Sequence, residues 1–347
     1  MGYIRDWLEM PISACVNEST SIPKKMGGLG ISSFKHLAQK MCLLKRHSLR
    51  SSTNADIQQV WSTTSYRHVT TDELLLSQKS IKAAVKSLRT DQHRTAVAHL
   101  LSLSIQGATS RCVIDAVQSK NIELWVTTLE NSSSLLFNFA RKAMLQVLPT
   151  ASNLVRWRRS LDPTCPLCGC GRPQTNKHVL SNCGATTALH RYTTRHNAVL
   201  AELVTWLRSA IAVDQELYAD LPNAQVLPVC DLFNNCRPDI AISDHDTIHA
   251  LELTVCHETN LVSSRSYKQE KYKNLVLCGS TLAAKRRIVP HFIEVSTLGF
   301  ISDVSHFTKA IKIPLLPNSV KFKIIATVLI NSFSIYCRRN KSAVDTD

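Results

Sequence analysis

Along the chain the spacing of apolar positions changes twice. In the first half they recur at three and four: Leu136, Phe139, Ala140, Ala143 and Val147 form one such stripe, and Pro149 ends it. The same reasoning predicts a helix from Ser33 to Arg50. It follows the turn-rich Lys24-Lys25-Met26-Gly27-Gly28-Leu29-Gly30, whose paired glycines break helical structure. From about Thr71 to Arg159 the pattern is mostly helical. At Asp162-Pro163-Thr164 the periodicity stops, and a Cys-, Gly- and Pro-rich stretch runs to Cys183 with too few apolar residues to hold itself together by a core. Helical spacing resumes from Ala188 to Ala212.

From Val226 onward the pattern becomes α/β. Arg237 to Ile242 and Ile248 to Val255 are short aliphatic runs on either side of the polar turn Ser243-Asp244-His245-Asp246-Thr247, so they are expected to pair antiparallel. Ser263 to Cys278 reads as a helix stopped by Gly279, and Ile288 to Val295 as a third strand. A strand, helix, strand succession of this length implies a crossover and a mixed sheet. A last helix is expected from Val320 to Arg339. Its apolar run, Ile324 to Cys337, is 14 residues long. That is short of the roughly 20 needed to span a bilayer, so it reads as a buried or docking helix, and no membrane partner is expected. The fold class is therefore α+β: a helical N-terminal half, a small Cys-rich unit, then an α/β domain with a mixed sheet.

Composition adds a partner. The 347 residues are 44% hydrophobic and 19% charged, which suits a folded chain of two or three units, not a disordered one. Lys and Arg number 41 against 26 Asp and Glu, a net charge of +15, and a polyanion is the large partner such a surplus favours. The opening MGYIRDWLEMP has early acids and no apolar run, so neither a signal nor a transit peptide is expected. The twelve cysteines are then expected to stay reduced, some ligating metal and the rest buried.

Cys165-x2-Cys168-x9-His178-x4-Cys183 supplies three thiolates and one imidazole, the number and kind that structural zinc takes in a closed tetrahedral site. Cys170 is an alternative to Cys168 as the second ligand. Four protein ligands leave no open coordination position, so the expected role is to fold a knuckle that presents nearby cations to nucleic acid, among them Arg156, Arg158, Arg159, Arg172, Lys177, Arg191 and Arg195.

A second constellation lies in the α/β part. Asp239 starts the first strand and Glu252 sits within the second, where alternation with Leu251 and Leu253 puts it on the face opposite the core. Two carboxylates meeting across a hairpin repel unless a cation lies between them, and hard oxygen donors suit Mg2+ or Mn2+. Lys268, Lys271 and Tyr272 stand at i, i+3 and i+4 on the next helix and share a face.

In order and wording these segments resemble the carboxy-terminal part of non-LTR retrotransposon polyproteins of the older, site-specific type, which carry a restriction-like endonuclease. Ile4-Arg5-Asp6-Trp7-Leu8 with Gly27-Gly28-Leu29-Gly30-Ile31 resembles the end of the reverse transcriptase thumb. Asn153-Leu154-Val155-Arg156-Trp157, leading into Cys165-Pro166-Leu167-Cys168 and His178-Val179-Leu180, resembles the linker and its zinc knuckle. Arg195-His196-Asn197 with Val199-Leu200 is similar to the helix entering the nuclease. The resemblance divides the chain into thumb end (1–50), helical linker (51–160), CCHC knuckle (161–186), restriction-like endonuclease of the PD-(D/E)xK type (187–310) and C-terminal helix and tail (311–347).

It further implies that Asp239 and Glu252 hold a catalytic Mg2+ or Mn2+. Lys268 matches the catalytic lysine, here displaced from the strand onto the helix, with Lys271 and Tyr272 following it. Arg156, Arg158, Arg159, Arg195, His196 and Tyr272 are the nucleic-acid contacts this reading expects. The partners it implies are a DNA target and the element's RNA, with no small-molecule substrate, in the nucleus. The chain contains no Asp-Asp pair of the kind a polymerase needs, so it is not expected to synthesise DNA alone. The resemblance thus implies an enzyme that nicks DNA; the alternative is a zinc-dependent binding module carrying a remnant nuclease.

Overall fold

The computed structural model describes residues 2–63, 81–222, 224, 238–244, 246–282 and 287–341. The helical reading over 71–80 and the start of the first strand at Arg237 lie outside them. The rest is mixed helix and sheet, with one four-stranded mixed sheet among the described residues.

The N-terminal half is helical. Short helices α1 (Gly2–Trp7) and α2 (Val16–Ser21) precede a 3-10 turn at Lys24–Met26. Then come α3 (Phe34–Arg50), α4 (Ala55–Thr63), α5 (Ile81–Ser102), α6 (Ala108–Ala116), α7 (Ser119–Glu130), α8 (Ser134–Met144) and α9 (Ala151–Arg156). Ser33 caps α3 by accepting the His36 N–H, as Ser133 caps α8 by accepting that of Leu136. The stripe predicted through Val147 leaves the helix early: α8 ends at Met144, Gln146 takes a left-handed φ of 57°, and Val147 is buried from the following turn.

The Cys-rich stretch follows, then α10 (Thr186–Ala210) and the sheet strands β1 (Glu216–Ala219), β2 (Ile240–Ser243) and β3 (Thr247–Cys256). Helix α11 (Leu261–Leu282) crosses to β4 (Arg287–Ser296), and α12 (Ser305–Ala310) and α13 (Asn318–Cys337) close the chain. The order in the sheet is β1-β2-β3-β4, antiparallel except for the parallel β3/β4 pair that a crossover requires. Gly279 lies inside α11 and does not end it. Edge strand β1 was not foreseen, because four residues are too few to show a period.

Seven of the ten residues of β3 are buried. Leu251, Leu253, Ile293 and Val295 join a core with Leu203 and Leu207 of α10 and Val328 and Leu329 of α13, while Ala241, Ile248, Ala250 and Ile288 pack with Tyr272 of α11 on the other face. The first of these cores runs on without a break to Leu8, Leu29, Trp125 and Phe139. Trp125 ties the halves together, donating its indole N–H to the Leu298 carbonyl at 2.6 Å with its ring 4.4 Å from that of Phe300. Helix α13 begins six residues before the apolar run and is long and apolar enough to cross a bilayer by length and composition. In the fold Ile324, Ile325, Val328, Leu329 and Ile335 are buried.

Candidate functional site

Cys165, Cys168, His178 and Cys183 bring their donor atoms within 4.8 Å of one another. The cysteine side of the cluster is a tight loop: the Cys165 N–H donates to the Arg172 carbonyl at 3.0 Å, Thr164 bridges Pro173, and Gly169 and Gly171 take φ of 58° and 68°. A side chain would be strained at either glycine. His178 and Cys183 are five residues apart, and the segment between them, His178–Asn182, winds as a π-turn whose i to i+5 closure suits that separation. Tyr192 of α10 braces the turn by donating to the Val179 carbonyl at 2.7 Å and accepting the Cys183 N–H at 3.2 Å.

This cluster can hold a metal, and its dimensions are consistent with zinc. Cys165 and Cys183 sulfurs stand 4.0 Å apart, and Cys168 Sγ lies 3.5 Å from His178 Nε2. Tetrahedral zinc with ordinary bond lengths needs donor separations of about 3.5–3.8 Å. Cys170 is exposed, with its sulfur beside that of Cys168 at 2.7 Å, and stands outside the quartet. Burial keeps the His178 imidazole below its ordinary pKa, with Arg172 adding to the effect, so the ring is neutral as a ligand must be. Burial also raises the Cys183 thiol to about 12, with Cys165 and Cys168 adding to the rise and the Ala185 N–H opposing it.

The knuckle is seated on the α/β part by side chains that the sequence reading had assigned to nucleic acid. Arg195 is 1% exposed: its guanidinium donates to the Leu180 carbonyl inside the π-turn at 2.9 Å and to Ser332 Oγ on α13 at 3.0 Å. Ser332 in turn donates to the Thr297 carbonyl at 2.6 Å. Arg195 is therefore an internal strut and not a phosphate contact. Arg191 is buried and donates to the Arg338 and Lys341 carbonyls, and Lys177 reaches Asn260 Oδ1 at 2.8 Å in the loop after β3. Arg156, Arg158, Arg159 and Arg172 are exposed.

Above the sheet, α11 lays Arg265, Lys268 and Tyr272, at i, i+3 and i+7, over the strands. Glu252 is 4% exposed and accepts from both Lys268 Nζ and Tyr272 Oη at short range. Glu252 does face away from Leu251 and Leu253, but that face is not solvated, because α11 covers it. Tyr272 is fully buried, its ring edge-on to Phe292, so it serves the carboxylate and is not available to nucleic acid. Lys271 is exposed, its ammonium 5.6 Å from the centre of the Tyr272 ring.

Asp239 precedes β2, whose Ile240 pairs with Leu251, so continuing that register sets Asp239 across from Glu252. The two carboxylates nevertheless have different partners. Asp239 Oδ2 accepts the Leu253 N–H at 2.7 Å and lies 3.5 Å from His196 Nε2. Burial alone would lower the His196 pKa, but the hydrogen bond and charge of Asp239, with Asn197 and the Leu253 carbonyl, raise it above its ordinary value. His196 thus faces the strand end, with its side chain 26% exposed. Asp239 and Glu252 offer the hard oxygen donors that Mg2+ takes, and no third His, Cys, Asp or Glu among the described residues completes a preformed cage with them.

The sequence reading missed Glu294 and Arg265. Glu294 on β4 pairs with Thr254, lies on the same sheet face as Glu252, is 2% exposed and is clamped by Arg265 through Nε at 3.0 Å and Nη2 at 2.5 Å. The signal available was the spacing of three between Arg265 and Lys268 on one helix face.

Compared with known proteins, the chain matches no family model and no curated protein.

Proposed function

We propose that this chain is a metal-dependent DNA endonuclease with a restriction-like α/β domain and a structural zinc knuckle, a fragment of a site-specific non-LTR retrotransposon polyprotein that nicks target DNA in the nucleus to prime reverse transcription. The observation that carries the reading is the buried Glu252 with Lys268 and Tyr272 donating to it, on a hairpin that sets Asp239 opposite. A carboxylate is costly to bury. Here the chain buries one at the mouth of a hairpin and spends two helix side chains on it, the arrangement of a group held ready to exchange partners.

Asp239 and Glu252 would hold Mg2+ or Mn2+, which when bound polarises the scissile phosphate and lowers the pKa of an attacking water. The chain's own residues supply the rest. Lys268, which donates to Glu252, would offer its ammonium to the charge developing on the phosphate. Tyr272 keeps Glu252 oriented, Arg265 fixes the start of α11 through Glu294, and His196 holds Asp239 at the strand end. Cys165, Cys168, His178 and Cys183 would hold zinc, a closed site that shapes the knuckle. The exposed Arg156, Arg158, Arg159 and Arg172 beside it are the surface proposed for DNA and element RNA.

A second reading, a binding module with a remnant nuclease, draws support from one observation: Asp239 and Glu252 are each already satisfied by protein partners. Supercoiled plasmid incubated with the full chain separates the two. The nuclease reading expects nicked circles with Mg2+ and none with EDTA; plasmid bound yet intact under both conditions would favour the binding module.

A further inference from the structure

Away from both clusters, Cys15, Glu18 and His99 bring a sulfur, a carboxylate oxygen and an imidazole nitrogen within 4.8 Å of one another. The donors come from two segments distant in sequence: Cys15 immediately precedes α2 and Glu18 lies in the first turn of that helix, while His99 is in the last turn of α5. Glu18 stands between the other two. One of its oxygens accepts from the Cys15 thiol at 2.9 Å, and the other lies 2.9 Å from His99 Nδ1. The backbone that carries Cys15 is fixed independently of these contacts. Gln106, in the loop after α5, accepts the Cys15 N–H at 2.6 Å and donates to the Ser13 carbonyl at 2.7 Å, while Ala14 and Val16 are buried in the core. The His99 side chain is 55% exposed and that of Glu18 25%, so the cluster opens to solvent.

We propose that Cys15, Glu18 and His99 form a second metal site, which takes a divalent ion of the zinc class with solvent as its fourth ligand. The donor set selects the ion. Thiolate, imidazole and carboxylate are each zinc ligands, whereas Mg2+ and Ca2+ take oxygen and leave sulfur alone. Charge agrees: one thiolate and one carboxylate balance a dication. On binding, the Cys15 thiol releases its proton to solvent, and Glu18 exchanges its two hydrogen bonds for a bond to the ion. The site differs from the knuckle in kind, because three protein ligands leave a coordination position open. Its consequence for the fold is a tie between residues 13–18 and α5, two segments that meet only through tertiary packing.

The test is zinc content of the full chain after removal of metal by chelation, loading with zinc chloride and desalting, read as the difference between wild type and variant. Cys15→Ser and Glu18→Gln are each expected to lose about one zinc per chain relative to wild type. Glu18→Gln keeps hydrogen-bonding capacity toward both neighbours, so its loss of zinc with an unchanged circular dichroism spectrum would reflect ligation and not unfolding. His99→Ala, at an exposed side chain, is expected to do the same. Cys165→Ser empties the knuckle alone, so the difference between wild type and Cys15→Ser is expected to persist in that background. Zinc content equal in wild type, Cys15→Ser and Glu18→Gln would overturn the proposal, whatever the knuckle holds.

Discussion

Glu252 is almost out of water, with a lysine and a tyrosine spent on it, so its partners are tied to it energetically. Removing Lys268 strands a buried carboxylate, and Lys268→Met is expected to cost about 2–3 kcal/mol. That is below the typical cost of breaking a fully buried pair, because the lysine side chain is 23% exposed and solvent screens it. Glu252→Gln combined with Lys268→Met removes both charges, and urea unfolding is expected to show it more stable than Lys268→Met alone; equal stabilities would deny the coupling. A second residue-scale expectation concerns His291. Burial, with His249 beside it at 3.0 Å, lowers its pKa to about 4, well below the unfolded value near 6.5. The unfolded chain therefore binds the proton first, so the stability this histidine confers is whole above about pH 6.5 and is lost as pH falls toward 4. Melting curves between pH 7 and 4.5 are expected to fall less steeply for His291→Gln than for wild type, and parallel curves would contradict this. Some of the residue-scale picture was legible in the chain: the zinc quartet because its donors are close in sequence, and Lys268 near Glu252 because helix and strand periods fix which sides face. Arg195 was misread because the charge of an arginine is visible in sequence, while the Leu180 carbonyl and Ser332 that bury it come from elsewhere in the chain.

At the scale of elements, α10 is the beam on which knuckle, sheet and α13 meet, and Arg195 joins them. Arg195→Met would leave the buried Leu180 carbonyl short of a donor, at about 1–3 kcal/mol, while Ser332 keeps its bond to the Thr297 carbonyl. Because Leu180 lies inside the turn between His178 and Cys183, the same substitution is expected to lower the melting temperature and to speed zinc loss to a chelator, while an unchanged release rate would deny that the strut supports the knuckle. The glycine turn before α3 has a similar logic. Gly27 takes φ 84° and offers its carbonyl to the fully buried Arg141 at 2.7 Å, and a Cβ on Gly28 would stand 2.0 Å from the Ile22 carbonyl oxygen. Gly28→Ala is expected to destabilise by at least about 1–3 kcal/mol in thermal unfolding, as overpacking does; a wild-type melting temperature would contradict it. Elements with a long, regular period were legible, among them α3, α10, β3 and α13. Those decided by tertiary pairing were not: β1 is a strand because β2 is beside it, α8 stops before Pro149 because Gln146 turns, and α11 runs past Gly279.

For the whole molecule, the charge of +15 and the exposed Arg156, Arg158, Arg159 and Arg172 predict that nucleic-acid affinity falls steeply with salt, since most of it comes from released counterions. Each of Arg156→Ala, Arg158→Ala and Arg159→Ala that removes a phosphate contact is expected to reduce the slope of log affinity against log salt by about 0.9 on duplex DNA. Slopes unchanged in all three would place the contact surface elsewhere. One core runs from Leu8 through Trp125 and through Val179 and Leu180 of the Cys-rich turn to Leu251 and Leu253 of the sheet, so the proposed binding at the arginines and the proposed chemistry at the hairpin are expected to separate only at single side chains. Glu252→Gln is that separation: it is isosteric, keeps one oxygen to accept from Lys268 while its amide N–H can donate to Tyr272 Oη, and removes the charge a divalent ion needs. The decisive measurement is the plasmid-nicking rate of Glu252→Gln against wild type in Mg2+, at protein concentrations that saturate the DNA for both. Nicking by wild type and a loss of at least about 100-fold in the variant are expected, the scale of losing a transition-state interaction worth about 2.7 kcal/mol. Equal rates would show that the hairpin is not where DNA is cut.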